Sequence, residues 1–268
     1  MKNRILATNV LWFLVIALTW LLGKWGAFIL IAAFGVGSMW ELSILLEKAG
    51  HPVDRPVALI ALSILLGALM LLPPWVFPPV ALIAVCLSAA IVACLFRSEV
   101  GSFNAVAFPT LGAILLMFLP FGSITLLIHE SGLVLTIWVL AVTKFGDVGA
   151  LLTGMTIGKH KMAPAFSPKK TWEGLGGGVV FSVIVSLVLV HFLGEWLPPQ
   201  LTLINAAWTA AFISLAGVLG DLVESAFKRE AKVKDSGGMI PGIGGFLDLA
   251  DSTMLALPVS YFLMWIIL

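Results

Sequence analysis

Asp147, Asp221, Glu224, Asp248 and Asp251 lie within or at the ends of apolar stretches long enough to enter lipid. A carboxylate at the centre of a membrane helix costs at least about 2.5 kcal/mol and by default marks a function. Asp221 and Glu224 are three residues apart, as are Asp248 and Asp251, so on a helix each pair shares a face. Carboxylates crowded in this way cannot all stay ionised unless a cation neutralises them. Lys144, about one turn before Asp147, offers that residue an internal partner, whereas Asp221, Asp248 and Asp251 have none nearby in sequence. A hard cation with oxygen ligands, Mg2+ above all, suits such a set. The plainer alternative is a structural network in which these acids pair with Lys228, Arg229 or Lys234.

Two polar stretches surround the acids: 144–178, which contains "SPKKTWEG", and 220–252, which contains "FKREAKVKD". A basic run beside a membrane ordinarily expresses topology or attracts anionic lipid. Here both runs are interleaved with glycine, proline and acid, and lysine and arginine both suit phosphate oxygens. Glycines 237, 238, 242, 244 and 245 would let backbone N–H groups approach a phosphate closely. The run "GGMIPGIGG" is neither a P-loop nor a Rossmann turn, since it lacks the lysine motif of the first and does not follow a strand.

Something must carry these residues to a membrane surface. The chain is 60% hydrophobic and 11% charged, with a mean hydropathy of +1.11, against about 25% charged residues in a soluble domain. Apolar runs of about 20 residues predict membrane helices, and nine fit: 5–22, 25–45, 57–72, 79–96, 105–121, 132–153, 174–196, 203–223 and 250–268. Barrel strands are excluded, because they would alternate over about ten residues. The expected fold class is therefore an all-α polytopic transmembrane helix bundle with its N-terminus cytoplasmic, the basic N-terminal run being a retained first span. With that orientation every lysine and arginine except Lys24 and Lys144 falls on the inner side, as the positive-inside rule requires. Outer loops are expected near 73–78, 121–131 and 197–202.

A single membrane domain, 1–268, is expected, with packing spans to about residue 140 and a catalytic half over 141–268. Cys86 and Cys94 read as small buried hydrophobes. The four histidines share no metal-ligand spacing, and only His160 is placed to face a substrate. Trp20, Trp25, Trp75 and Trp196 match an aromatic belt. Glu41, inside the second span, has no sequence explanation beyond a helix-packing hydrogen bond or an unassigned role.

The stretch "SAFKREAKVKDSGGMIPGIGGFLDLADS" (225–252) resembles the signature of phosphatidate cytidylyltransferases, or CDP-diacylglycerol synthases: S-x-x-K-R, four residues, K-D, then P-G-H-G-G-x-x-D-R-x-D-S. Ser225, Lys228, Arg229, Lys234, Asp235, Pro241, Gly242, Gly244, Gly245, Asp248, Asp251 and Ser252 match in type and spacing. The upstream "GDLVES" and the stretch "FGDVGA" to "SPKKTWEG" also look like the family, and the likeness covers roughly 140–268. Ile243 and Leu249 depart from the pattern, standing where histidine and arginine are usual.

The resemblance implies CMP transfer from CTP to phosphatidate, giving CDP-diacylglycerol and pyrophosphate by in-line displacement. It implies Mg2+ on Asp221 and Asp248, with Asp251 or Asp235 completing the shell. Lys169, Lys170, Lys228, Arg229 and Lys234 would clamp phosphates, and Ser167, Ser225, Gly244 and Gly245 would give hydrogen bonds. Asp147 would be a supporting residue or would hold a second, monovalent cation. The implied setting is the cytoplasmic face of a bacterial inner membrane, with CTP and bilayer phosphatidate as partners. No nucleic acid is implied, and a homodimer is compatible. The rival readings are a transporter lined by Lys144, Asp147, Asp221 and Glu224, and an inactive scaffold of the same family.

Overall fold

A computed structural model describes residues 2–72, 79–99, 101–239 and 244–268. Trp75 and the expected turn at 73–78, and Pro241, Gly242 and Ile243 of the signature, lie outside the described residues. The helices are α1 (Lys2–Leu22), α2 (Lys24–Lys48), α3 (Arg55–Leu71), α4 (Pro79–Arg97), α5 (Phe103–Ile157), α6 (Trp172–Leu193), α7 (Leu203–Glu230), α8 (Phe246–Ala250) and α9 (Thr253–Ile267). Among the described residues, six helical stretches are long and apolar enough to cross a membrane, and Phe13–Leu22 and Arg55–Leu71 are shorter apolar helices. Large apolar side chains face outward along them, Phe96 at 84% exposure among them. In water that surface would drive association, whereas in a bilayer it meets its own solvent. The chain is an all-α polytopic membrane bundle.

It divides into two compact units, Met1–Thr125 with Phe227–Ala250, and Leu126–Ala226 with Asp251–Leu268. In the first, consecutive helices α1 to α4 pack on one another and α8 packs on α2. Its core is built from Phe28, Met39, Leu42, Leu45, Leu62, Leu65 and Leu66, all essentially buried. The turn into α3 is fixed by Asp54, whose carboxylate caps the Val57 N–H at 3.3 Å and accepts from Arg97 Nε at 2.5 Å. An acid at a helix start satisfies an orphan donor and suits the helix dipole.

In the second unit α5 and α6 meet along small residues. Gly146, Ala150 and Gly154 recur every four residues, as do Gly174, Gly178 and Ser182, so each set lines one helix face. A methyl on Gly178 would come within 2.9 Å of the Gly146 carbonyl, and one on Gly174 within 2.9 Å of the Ala150 carbonyl. Between helices in lipid, such close approach provides the packing that apolar bulk cannot. Ser182 Oγ donates to the Val142 carbonyl at 2.9 Å, and Ser186 Oγ to that of Ala206 at 2.8 Å. The "GLGGG" run, counted both in the polar stretch 144–178 and in the expected span 174–196, is helical and forms this seam.

Three further expectations are corrected. Segment 121–131, expected as an outer loop, is helical within α5, and the break falls at Gly132 (φ 81°, ψ 177°). Gly122 inside the segment and Pro120 just before it are both tolerated within a membrane helix. Residues 144–157 are the end of α5, and 220–230 belong to α7, so each polar stretch is shorter than its sequence suggests. Finally, Lys161–Ala163 and Ser167–Thr171 pair as an antiparallel hairpin, β1 and β2. Non-glycine residues essentially do not adopt the Gly132 conformation, and forcing one there costs about 1–3 kcal/mol. Nothing lies near a methyl at that position, so the penalty is conformational alone. Gly132→Ala should therefore lower the unfolding free energy of the micellar protein by about 1–3 kcal/mol, read as a lower denaturation midpoint, and an unchanged midpoint would refute the assignment.

Candidate active site

The second unit gathers acids and lysines around one cavity. Thr171 ends the hairpin and caps α6, its side chain accepting from Gly174 N–H at 3.1 Å. Glu173, in the first turn, accepts from the backbone N–H groups of Lys159 and His160 and pairs with His160 Nδ1. These contacts hold the hairpin against the start of α6. His160, the one histidine the sequence left able to face a substrate, is engaged with Glu173.

The cavity has a volume of about 550 Å3 and is lined on its charged side by Asp147, Lys161, Ser167, Lys169, Lys170 and Asp221. Leu151, Met155, Leu175 and Val218 supply an apolar wall. Lys170 Nζ lies 2.8 Å from Asp221 Oδ2 and donates to the Val218 carbonyl at 2.9 Å. Ser225 Oγ donates to Asp221 Oδ1 at 3.4 Å. Lys169 is exposed, whereas Lys170 is half-buried.

Asp221, Glu224 and Asp251 each offer a carboxylate oxygen, all within 4.8 Å of one another. Glu224 is fully buried at 0% exposure, and Asp221 and Asp251 are half-buried. Lys144 reaches Asp251 Oδ1 at 3.5 Å and Asp147 Oδ2 at 3.7 Å, and donates to Ser252 Oγ at 2.8 Å. The expected Lys144–Asp147 pair is present. Asp221 and Asp251, without partners nearby in sequence, each take a lysine from a distant segment. Glu224 shares a helix face with Asp221 and was noted for that spacing, but its place in the cluster depends on Asp251, which is distant in sequence.

Asp248 lies in the first unit. Its carboxylate accepts from Lys228 Nζ at 3.0 Å, from Gly245 N–H at 2.8 Å and from Ser236 N–H at 3.2 Å. Of the pairings in the structural-network alternative, Lys228–Asp248 is present. Gly244 adopts φ 126°, and the Gly245 N–H is directed at Asp248. Arg229 Nη1 donates to the Val233 carbonyl at 3.5 Å just beyond the end of α7, where a cation suits the helix dipole. Lys234 and Asp235 are exposed in the following loop, outside the acidic cluster, and Leu249 is half-buried on α8.

The sequence left Glu41 between a helix-packing hydrogen bond and an unassigned role. It is 1% exposed on α2, and its Oε2 accepts from Leu247 N–H at 2.9 Å and from Ser236 Oγ at 3.2 Å. The signal was present, an acid inside an apolar span, but its partners lie some 200 residues away.

Residues 2–267 match the model of the cytidylyltransferase family. The chain is 40% identical over 143 residues to the phosphatidate cytidylyltransferase of Haemophilus influenzae, covering 51% of this chain and 48% of that protein. It is 43% identical over 135 residues to proteins of that name from Staphylococcus haemolyticus and Staphylococcus aureus, covering 49% of each chain. The matched stretch thus spans about half the length of these curated relatives.

Proposed function

The chain belongs to the cytidylyltransferase family, and from that premise we propose that it transfers CMP from CTP to phosphatidate at the cytoplasmic face of a bacterial inner membrane. The observation that carries this reading is the cavity of the second unit. Three lysines and two aspartates face an apolar wall of Leu151, Met155, Leu175 and Val218. A phosphorylated lipid needs both surfaces at once, because its head group must meet cations while its tails stay in hydrocarbon. Small soluble nucleotides alone would not require the apolar wall.

Asp221, Glu224 and Asp251 fit a divalent cation: the donors are all carboxylate oxygens, as Mg2+ demands, and their oxygens already converge. When bound, the cation would offset charge on the triphosphate and on the departing pyrophosphate. The remaining work falls to side chains of the protein. Lys161, Lys169 and Lys170 bind phosphate oxygens as point charges. Ser167 and Ser225 donate hydrogen bonds that fix orientation. The start of α6 beside the cavity favours negative charge. In the first unit Lys228, Arg229 and Lys234 bind phosphate oxygens as the signature implies, Asp248 orients Lys228, and Asp235 supports them.

In the reaction a phosphate oxygen of phosphatidate attacks the α-phosphorus of CTP. The new P–O bond forms as the bond to the β-phosphate bridging oxygen breaks, and pyrophosphate leaves with that electron pair. The nucleophile arrives largely ionised, so no histidine is required as a base. Catalysis rests on positioning and charge neutralisation.

Purified protein in micelles with phosphatidate, Mg2+ and radiolabelled CTP should move label into the organic phase. ATP, GTP and EDTA controls should not. Label transfer that ignores the nucleotide base, or persists in EDTA, would overturn the reading. So would the absence of transfer from a folded preparation.

A further inference from the structure

We infer that Glu41 is a positioning residue for Asp248, set in the N-terminal part of the chain to hold both ends of the signature loop. The inference rests on the role proposed above for Asp248. Phe34, Gly37 and Glu41 recur at helical spacing and share one face of α2. That face meets α8. The Phe34 and Phe246 rings contact edge to face at 5.2 Å, and a methyl on Gly37 would strike the Phe246 ring at 2.5 Å.

Glu41 completes the contact with a carboxylate where an apolar side chain would serve packing equally well. Its Oε2 takes the Ser236 hydroxyl at one end of the loop and the Leu247 N–H at the other. A methyl on Gly237 or on Gly245 would overlap the same carboxylate, so the loop closes around it at both ends. Asp248 holds the same two ends, through Ser236 N–H and Gly245 N–H. Ser236 therefore bridges the two acids, giving its backbone to Asp248 and its hydroxyl to Glu41.

Glu41 Oε1 has no hydrogen-bond partner among the described residues. Burying a carboxylate is expensive even where it accepts hydrogen bonds. A residue needed only for stability would be better replaced by an apolar one. The arrangement gives Asp248 a fixed backbone on both sides, and a small misplacement of a reacting group is enough to cost about 100-fold in rate.

Glu41→Ala should lower kcat by about 100-fold while the KM for CTP stays within about threefold. Backbone amide exchange at 236–239 and 244–247, read by mass spectrometry in micelles, should rise, with exchange in α3 unchanged. Glu41→Gln keeps an acceptor oxygen at the same reach and should restore most of kcat and most of the protection. Ser236→Ala, which leaves α2 intact, should loosen the same peptide and lower kcat by a smaller factor, and serves if Glu41→Ala does not fold. Wild-type exchange in Ser236→Ala, or wild-type kcat in Glu41→Ala, overturns the inference. A Glu41→Gln as inactive as Glu41→Ala, with the loop still protected, also overturns it, because charge would then be the requirement. If the wild-type protein transferred no CMP at all, the proposed activity would fail, and the exchange measurement would still decide whether Glu41 holds the loop.

Discussion

Asp248→Asn should reduce CMP transfer by about 10²–10³-fold, the scale set by losing one preorganised electrostatic contact in a catalytic site. The two carboxylate oxygens carry different duties. Oδ1 receives the Lys228 ammonium at 3.0 Å, and Oδ2 receives the Gly245 N–H at 2.8 Å. Asparagine keeps one acceptor, sets an N–H2 where the other stood and removes the charge. One of the two donors then faces another donor, and Lys228, itself only 15% exposed, no longer meets a charge at Asp248. The fold should survive, because the core of that unit is apolar and lies on α2 and α3. Far-ultraviolet dichroism and the elution volume of the micelle should match wild type while kcat collapses. A folded Asp248→Asn that retains more than a tenth of wild-type kcat would remove this residue from the chemistry.

The spans were readable because lipid imposes a simple rule, about 20 apolar residues per crossing, and composition alone already excluded water as the solvent. The acids were readable for the converse reason: each is costly where it stands. What stayed hidden depends on contacts between distant segments. Gly174 to Gly178 open an expected span, but nothing in their order shows that in lipid these glycines let two backbones touch. The 121–131 segment read as a loop because a span count needs a return, and a single glycine, Gly132, makes the break instead. The β1–β2 hairpin is short and charged, below what alternation can reveal. The lysine partners of Asp221 and Asp251 are 51 and 107 residues away in sequence, and no local pattern encodes them. Glu41 is the extreme case, since its spacing within α2 marks a packing face and only the tertiary structure shows what it holds.

The pairing of Lys170 with Asp221 leads to a prediction with opposite signs in two assays. At 2.8 Å the ammonium neutralises the carboxylate that is proposed to hold the divalent cation, so lysine and cation compete for it. Asp221→Asn should weaken binding of Mn2+, followed by electron paramagnetic resonance as a stand-in for Mg2+, by at least about 100-fold, the upper range for altering a metal site. It should abolish CMP transfer in parallel. Lys170→Met removes the competitor and retains most of the side-chain length. The pair is only partly buried, Asp221 being 33% exposed, so its strength is near the exposed-pair limit of about 1 kcal/mol. Cation binding should then tighten by about fivefold. Turnover should nonetheless fall, because the same ammonium lines the cavity where phosphates are to be held. A purely structural ion pair predicts neither result, since breaking it would loosen the site and weaken cation binding in both variants. Tighter cation binding with slower transfer in Lys170→Met therefore separates a lysine that alternates between acid and phosphate from one that merely braces a helix, and weaker cation binding in that variant would sink the competition.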